Sequence, residues 1–490
     1  MADPPAPHAR PGQRDLTTGP IGRSMLVFAL PIMGSSVVQS LNGSINSIWV
    51  GRLIGERGLT ATVNANNILF LLLSAVFGIG LAATILVAQA IGRRDLVEAK
   101  RTVGTMATFF AVASILLAAL GYAITDPLLR LIGTPPAAHD FAVSYLRVIF
   151  LALPFLYFNT FLMMALRGSG DSRTPFLFSI LATVIDVGLN PLLIAGWGPI
   201  PAMGIAGSAT ATLIGQVCGL AGLLSFAYAR RFPIRLTRDE LFMLRPDRRL
   251  LKASIVKGVP MGLQMIVVSI SGLAMVTIVN GYGVTTAAAY GVAAQLWTYV
   301  QMPALAVGAA ASSFAAQNIG ANRWDRVERT ARAGILINIV LTGALITSVY
   351  LGERALLKLF LPHGTNAWPI VEHINAIGLW GFGFLGAGFV LFAVVRAAGA
   401  VIAPLAILFV ALLAVRLPLT LLLQPRLGVG AVWVTSPVSM ILALAMAASY
   451  YRWGSWRQSK MIGPEVGGDT AASGVGVPSA SATDPVPARA

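Results

Sequence analysis

Residues 175–197 read Pro-FLFSILATVIDVGLNPLLIAG-Trp, an apolar run with one carboxylate, Asp186, at its middle. A helix rises ~1.5 Å per residue, so about 20 such residues cross a hydrocarbon core ~30 Å thick. A charge at that depth costs ~3 kcal/mol on insertion scales, and intramembrane ionisable groups mark ion or proton paths. Whether the chain repeats such runs decides both its fold and the weight of Asp186.

It does. Of 490 residues, 56% are hydrophobic and 11% charged, more apolar surface than a soluble protein of this size needs. The runs lack the period-2 alternation of barrel strands, so helices, whose backbone bonds are internal, are the spanning element. Twelve spans are expected, at about 24–50, 59–90, 102–125, 139–166, 175–196, 204–229, 252–280, 285–318, 328–352, 368–396, 402–424 and 430–452. Residues 1–23 are polar and Pro-rich, lack the apolar core of a signal peptide, and read as a disordered cytoplasmic N-terminus. Residues 453–490, rich in Gly, Ser, Ala and Pro from about Met461, read as a disordered cytoplasmic tail.

The net charge of +16 would suit nucleic acid, but its distribution does not. With the N-terminus inside, 27 Lys and Arg fall in inside loops and 6 in outside loops, while Arg147 and Arg416 lie within spans. The positive-inside rule therefore places both termini in the cytoplasm. The one cysteine, Cys218, allows no disulfide within the chain, and the four histidines have no metal-ligand spacing.

The chain also repeats itself. ALPIMG (29–34) returns as GVPMGLQ (258–264), AQAIGRRD (88–95) as AQNIGANR (316–323), and LRGSGDSRTP (166–175) as VRAAGAVIAP (395–404), all near an offset of 229 residues. Six spans per half give the two halves one orientation, the parallel duplication of alternating-access transporters. The expected units are an N-lobe, 24–229, a basic linker, 230–251, and a C-lobe, 252–452. Residues 237–254 read as an amphipathic linker helix bearing the positive-inside charge.

ALP (29–31), NSIWVGRLIG (46–55), AQAIG (88–92), LRGSGDSRTP (166–175) and Asn190-Pro191 together resemble the multidrug and toxic compound extrusion (MATE) family, bacterial branch, over about residues 20–455. The resemblance implies an all-α membrane protein of two pseudo-symmetric six-helix lobes in a V shape, in the bacterial inner membrane. It implies antiport of organic, cationic amphiphilic compounds against protons or sodium, with no cofactor and no enzymatic activity. Its partners would be drug-like substrates and membrane lipids, not nucleic acid, and a monomer is expected. The departures bear on coupling. Where bacterial members carry an Asp in span 1, this chain has Asn46. Where many read Asn-x-x-x-Asp-Pro in span 5, it reads Asp186-Val-Gly-Leu-Asn190-Pro191, the same side chains exchanged over one helical turn. The polar cluster of the family's N-lobe falls on Tyr145 and Thr212. Places that hold C-lobe carboxylates in sodium-coupled members are Val268 and Leu385 here.

Each site residue has a bland alternative. A low-dielectric surrounding penalises the charged form of a carboxyl group, which suits Asp186 to carry a proton; a structural hydrogen bond is the alternative. Asp126 and Asp171 lie at span ends or in loops, where solvation is cheap. Asn46, Asn190 and Thr212 either line the site or hold helices together by polar contacts. Sodium at Asp186, Asn190 and Asn46 stays open. Tyr145 reads more readily as an interface anchor. Arg416 is either a fixed C-lobe charge standing in for a coupling ion or, the favoured reading, an arginine that snorkels or bonds backbone carbonyls. Gly381-Phe-Gly383-Phe-Leu-Gly386 fits a dinucleotide pattern but lies inside a span, so close helix packing is the better account. A lipid-linked precursor flippase is the runner-up, disfavoured by only two arginines in the spans. A membrane enzyme would need a nucleophile or His/Asp cluster, and no Walker A sequence is present.

Overall fold

Apolar runs of this length in lipid leave the backbone no partner but itself, and the chain folds into helices throughout. The structure, a computed structural model, describes residues 14–199, 201–360 and 367–462. The first half holds α1 (Ile21–Leu53), α2 (Glu56–Gly92), α3 (Leu96–Ala123), a short α4 (Thr125–Leu131), α5 (Pro136–Gly168), α6 (Arg173–Ala195) and α7 (Ile205–Ala229). The second holds α8 (Arg248–Asn280), α9 (Val284–Val300), α10 (Met302–Gly320), α11 (Trp324–Phe360), α12 (Ala367–Gly378), α13 (Gly381–Ala397), α14 (Ile402–Phe409), α15 (Arg416–Leu427) and α16 (Gly430–Trp453). A six-residue π-helical segment, Val410–Val415, joins α14 to α15.

Among the described residues, ten helical segments are long and apolar enough to cross a membrane, and α12 with α13, bent by 43°, makes an eleventh. The eighth expected span, 285–318, is not one helix but α9 and α10 in series, broken at Gln301. Pro303, in the first turn of α10, has no N–H for the carbonyl four residues back, and its ring crowds that carbonyl. The linker also differs from expectation. Within 237–254, residues Arg238–Leu244 form a 3-10 helix, and α8 begins at Arg248, capped by the Asp247 side chain. Pro246 between them cannot continue a helix from the preceding residue. The linker is strapped to α3: Lys100 Nζ bonds both Glu240 oxygens at 2.5 and 2.8 Å, and Arg101 meets Asp247 at 2.9 Å. Lys100 and the Thr237 backbone hold the Glu240 carboxyl down to about 2.

Packing follows the repeat. In the first half α6 packs on α7 and α1, and α2 on α5; in the second, α15 packs on α16, α14 on α8, and α10 on α13. The halves meet through α2 with α8, α1 with α10, and α2 with α10. Lipid offers no hydrophobic drive for such contacts, so small residues that let backbones approach decide where they form. A Cβ on Gly78 of α2 would lie 2.2 Å from Gly262 N of α8, and one on Gly258 of α8 would lie 2.5 Å from Ile79 Cα.

The tightest approach is symmetric and lies at the end carrying the basic loops. A Cβ on Gly92 would meet Gln317 O at 2.0 Å, and one on Gly320 would meet Gln89 O at 2.1 Å. The two glutamines cross-bond the halves: Gln89 Nε2 donates to Ala397 O at 2.8 Å and Gln317 Nε2 to Gly168 O at 2.9 Å. Residues 14–19, read above as part of a disordered stretch, join this closure because Leu16 (1% exposed) offers an apolar side chain to it. Its N–H donates to Gln317 Oε1, and its C=O accepts from Asn318 Nδ2. Trp456 and Met461 are likewise buried, Trp456 against Trp324 and Tyr451 and Met461 against Gly399, rather than free in a tail. The remaining terminal residues, 1–13 and 463–490, lie outside the described residues. Asp171 is not solvated either. It is buried at the head of α6, where its carboxylate accepts from the N–H groups of Arg173 and Thr174 and from the Thr174 hydroxyl. Burial still pushes its carboxyl above the ordinary value.

Side-chain hydrogen bonds join α1–α7 and the segment before them to α8–α16 at the basic end. Gly92→Val sets a side chain against backbone, an overpacking that costs about 1–3 kcal/mol. It should therefore weaken this closure about 5- to 150-fold. Spin labels at Val97 and Asp325, in a Cys218→Ser background, should report longer separations in Gly92→Val; an unchanged distance distribution would show that the closure does not depend on this contact.

Candidate functional site

The first half gathers its polar side chains around one atom pair. Asp186 lies midway along α6, 3% exposed, on the face that packs against α1 and α7. α7 comes close because it is small there: a Cβ on Gly215 would stand 2.8 Å from Ala182 O and 3.2 Å from Asp186 Cβ. Asn42 Nδ2 and Asn46 Nδ2, one turn apart on α1, both donate to Asp186 Oδ2, at 2.9 and 3.2 Å. Thr212 Oγ1 on α7 lies 3.2 Å from Oδ1 and 3.3 Å from Oδ2. Asn190, one turn on from Asp186, donates to Asn46 Oδ1 at 2.9 Å and so fixes which way that amide points.

Four of the five residues expected to couple, Asp186, Asn190, Asn46 and Thr212, thus form one hydrogen-bonded cluster. Tyr145 on α5 is buried within electrostatic reach of Asp186 but makes no hydrogen bond to it. It is buried in the apolar core of the first half. Sequence reading missed Asn42. The signal was there: it is four residues before Asn46, and i, i+4 spacing puts both amides on one helix face.

What the cluster can do follows from its donors. They are neutral, and among the described residues no Lys, Arg or His pairs with Asp186. The negative charge is solvated by the protein but not cancelled, so a mobile cation can still enter. Two further oxygens, Asn42 Oδ1 and Asn190 Oδ1, are buried without a partner. Among the described residues no group of three His, Cys, Asp or Glu could hold a metal ion.

The second half has no such carboxylate. Arg416 opens α15 and is 8% exposed, so it neither snorkels to the boundary nor bonds carbonyls, contrary to the favoured expectation. Its Nη2 donates to Ser436 Oγ at 3.1 Å, and its Nε is buried without a partner. It does not snorkel because it lies mid-span, with a turn and more of helix between it and either end. In the glycine-patterned segment Gly386 packs against Asn338, as close helix packing requires.

This architecture and site have known counterparts. The family described as MatE matches residues 31–192 and again 260–422, one match per half. The probable multidrug resistance protein YoeA of Bacillus subtilis (strain 168) is 35% identical over 90% of this chain and 95% of its own length. YpnP of the same organism, also named a probable multidrug resistance protein, is 30% identical over 91% and 98%. A solved structure described as the outward-facing conformation of a multidrug resistance MATE family transporter of the MOP superfamily superposes with a TM-score of 0.83 at 20% identity, covering 91% of this chain and 98% of that one. A double family match on a duplicated, multi-pass helical fold, with full-length relatives at this identity, means that the chain belongs to the MATE family of membrane transporters.

Proposed function

We propose that this transporter exports drug-like organic compounds from the bacterial cytoplasm in exchange for protons, with Asp186 as the proton carrier. Export of drug-like compounds is supported by the names of the relatives, which call them multidrug resistance proteins. Proton coupling is supported by one observation above all: a buried carboxylate whose partners are all neutral donors.

The chemistry runs as follows. Ionised, Asp186 Oδ2 accepts from two amide N–H groups of α1. A proton on that oxygen turns an acceptor into a donor, and the amides of Asn42 and Asn46 then point donors at a donor. The conflict is relieved if the amides turn, the carboxyl rotates or α1 shifts against α6. Asn42 Oδ1, without a partner, is placed to accept from the protonated acid once its amide turns. α1 also packs on α10 and α11, which carry the closure at the basic end. Movement of α1 is therefore the natural link between protonation and access. For exchange, proton and cargo must favour different conformations, since a ligand shifts an equilibrium only by its differential affinity. The lobes are taken as residues 24–229 and 252–452, joined by the strapped linker, with both termini cytoplasmic and a monomer as the working unit. With the basic end inside, the state described here is closed to the cytoplasm.

Sodium in place of the proton has its own observation: the two buried amide oxygens, with Asp186, Asn46 Oδ1 and Thr212 Oγ1, form the kind of all-oxygen set a hard cation takes.

Asp186→Asn keeps the size of the side chain and removes its charge; dye efflux should fall to the level of empty vesicles while insertion and yield are unchanged, and full efflux in that variant would reject the carrier role. In inverted vesicles with pH and sodium gradients imposed separately, dye uptake should collapse with the pH gradient alone. Uptake that follows only sodium would assign the cluster to the second reading.

A further inference from the structure

The duplication extends to the site, with its sign reversed. Pro175 and Pro404 are 229 residues apart, whereas Asp186 and Arg416, and Asn190 and Thr420, are 230 apart. The extra residue is absorbed by the π segment before Arg416, whose N–H bonds Ala411 O, five residues back. An i→i+5 turn holds one residue more than an α turn, and such bulges gather at functional sites. Arg416 therefore occupies in the second half the place of Asp186 in the first.

The neighbours correspond as well. Gly204 ahead of α7 and Gly428 ahead of α16 have the same backbone, φ +56°, ψ −135° and φ +57°, ψ −135°. Counting on from them, Thr212 matches Ser436, and each hydroxyl lies against the buried charge of its half, at 3.2 and 3.1 Å. Asn46 matches Met275, which Thr420 Oγ1 contacts at 3.9 Å as Asn190 contacts Asn46.

A structural duty for the arginine is already filled by others. A π turn loosens backbone carbonyls, and here Ser271 Oγ of α8 donates to Leu412 O within it. The guanidinium is left with a neutral hydroxyl, a buried Nε without a partner, and, among the described residues, no ion pair. Tyr290 lies within its electrostatic reach and stacks on Trp433, ring centroids 5.5 Å apart. A buried cation with unused donors beside an aromatic wall is a receptor for an oxyanion on a flat apolar body.

We propose that Arg416, with Ser436 and the Tyr290–Trp433 pair, forms an anion subsite in the second half that takes the carboxylate of a transported amphiphile, so that carboxylate-bearing aromatic compounds are preferred to their cationic analogues. This rests on the efflux reading for the word transported, but not for the subsite. It departs from the expectation of cationic cargo.

The test uses two dyes that differ by one methyl ester, rhodamine 110 with a free carboxylate and rhodamine 123, its ester. Binding to the purified full-length protein in nanodiscs is read by fluorescence anisotropy. The acid should bind about ten-fold or more tightly than the ester, as expected for a charge-assisted hydrogen bond out of water. Arg416→Gln should bring the ratio to one, and Arg416→Lys should restore a preference for the acid. Equal affinities in the wild type, no binding of the acid, or a preference that survives Arg416→Gln each overturns the subsite. The wild-type ratio stands even if a variant fails to fold. Transport of the ester is followed separately in vesicles, and its failure counts against efflux, not against the subsite.

Discussion

The structure depends on a carboxylate placed where water cannot reach it in bulk. Asp186 is tolerated at that depth because two amides and a hydroxyl from α1 and α7 converge on it. That convergence needs three helices within one side chain's reach, which fixes much of the first half: Gly215 and Gly219 bring α7 onto α6, and Asn42 and Asn46 must share a face of α1. The donors lower the cost of the charge without removing it. A lysine or arginine in the same place would have made a silent ion pair. Neutral donors leave the charge available to a mobile cation, as the proposed coupling role requires.

The other constraint is geometric. Two helix ends cross so closely that a methyl group at Gly92 or Gly320 would fall inside a backbone oxygen's radius. Because the same contact is made twice, by Gly92 against Gln317 and by Gly320 against Gln89, the closure has an axis. Separating one pair separates both. The glutamines then lose Ala397 O and Gly168 O together, and Leu16 loses both its backbone partners. A closure built this way opens cooperatively, as packed interfaces do when they have two discrete arrangements rather than a continuum.

Much of this was legible in the chain. The apolar runs, their polarity and their repeat set the fold, because bilayer thickness and backbone satisfaction leave few alternatives. Asp186, Asn46, Asn190 and Thr212 stood out as polar residues in apolar surroundings, and they meet in space. Asn42 was hidden only by its ordinariness among the polar residues of α1. What sequence could not show was set by contacts distant along the chain. Leu16 looks like part of a loose polar arm until Gln317 and Asn318 are seen to hold its backbone. Asp171 looks solvated until it is seen capping α6. The break at Gln301 had a signal in Pro303, but one that apolarity outweighs in any window long enough to find a span. The π turn had no signal, since VALLAV is equally good α-helix; only a one-residue slip between the repeats betrays it.

That slip bears on how the halves divide their labour. A straight α-helix through 402–427 would have set Val415, an apolar residue, in the place of Asp186, and turned Arg416 about 100° away. Holding the π turn costs some regular backbone bonding, part of which Ser271 offsets at Leu412 O. The distortion would have no reason to persist if any orientation of Arg416 served. The two buried charges are held by different helices, Asp186 by α1, α6 and α7, and Arg416 by α15 and α16, and neither has an opposite charge for a fixed partner. On the reading proposed above, each is completed by something that comes and goes. A duplicated fold with one unpaired charge of each sign can bind two unlike groups at matching depth, an arrangement that a symmetric pair of carboxylates could not provide.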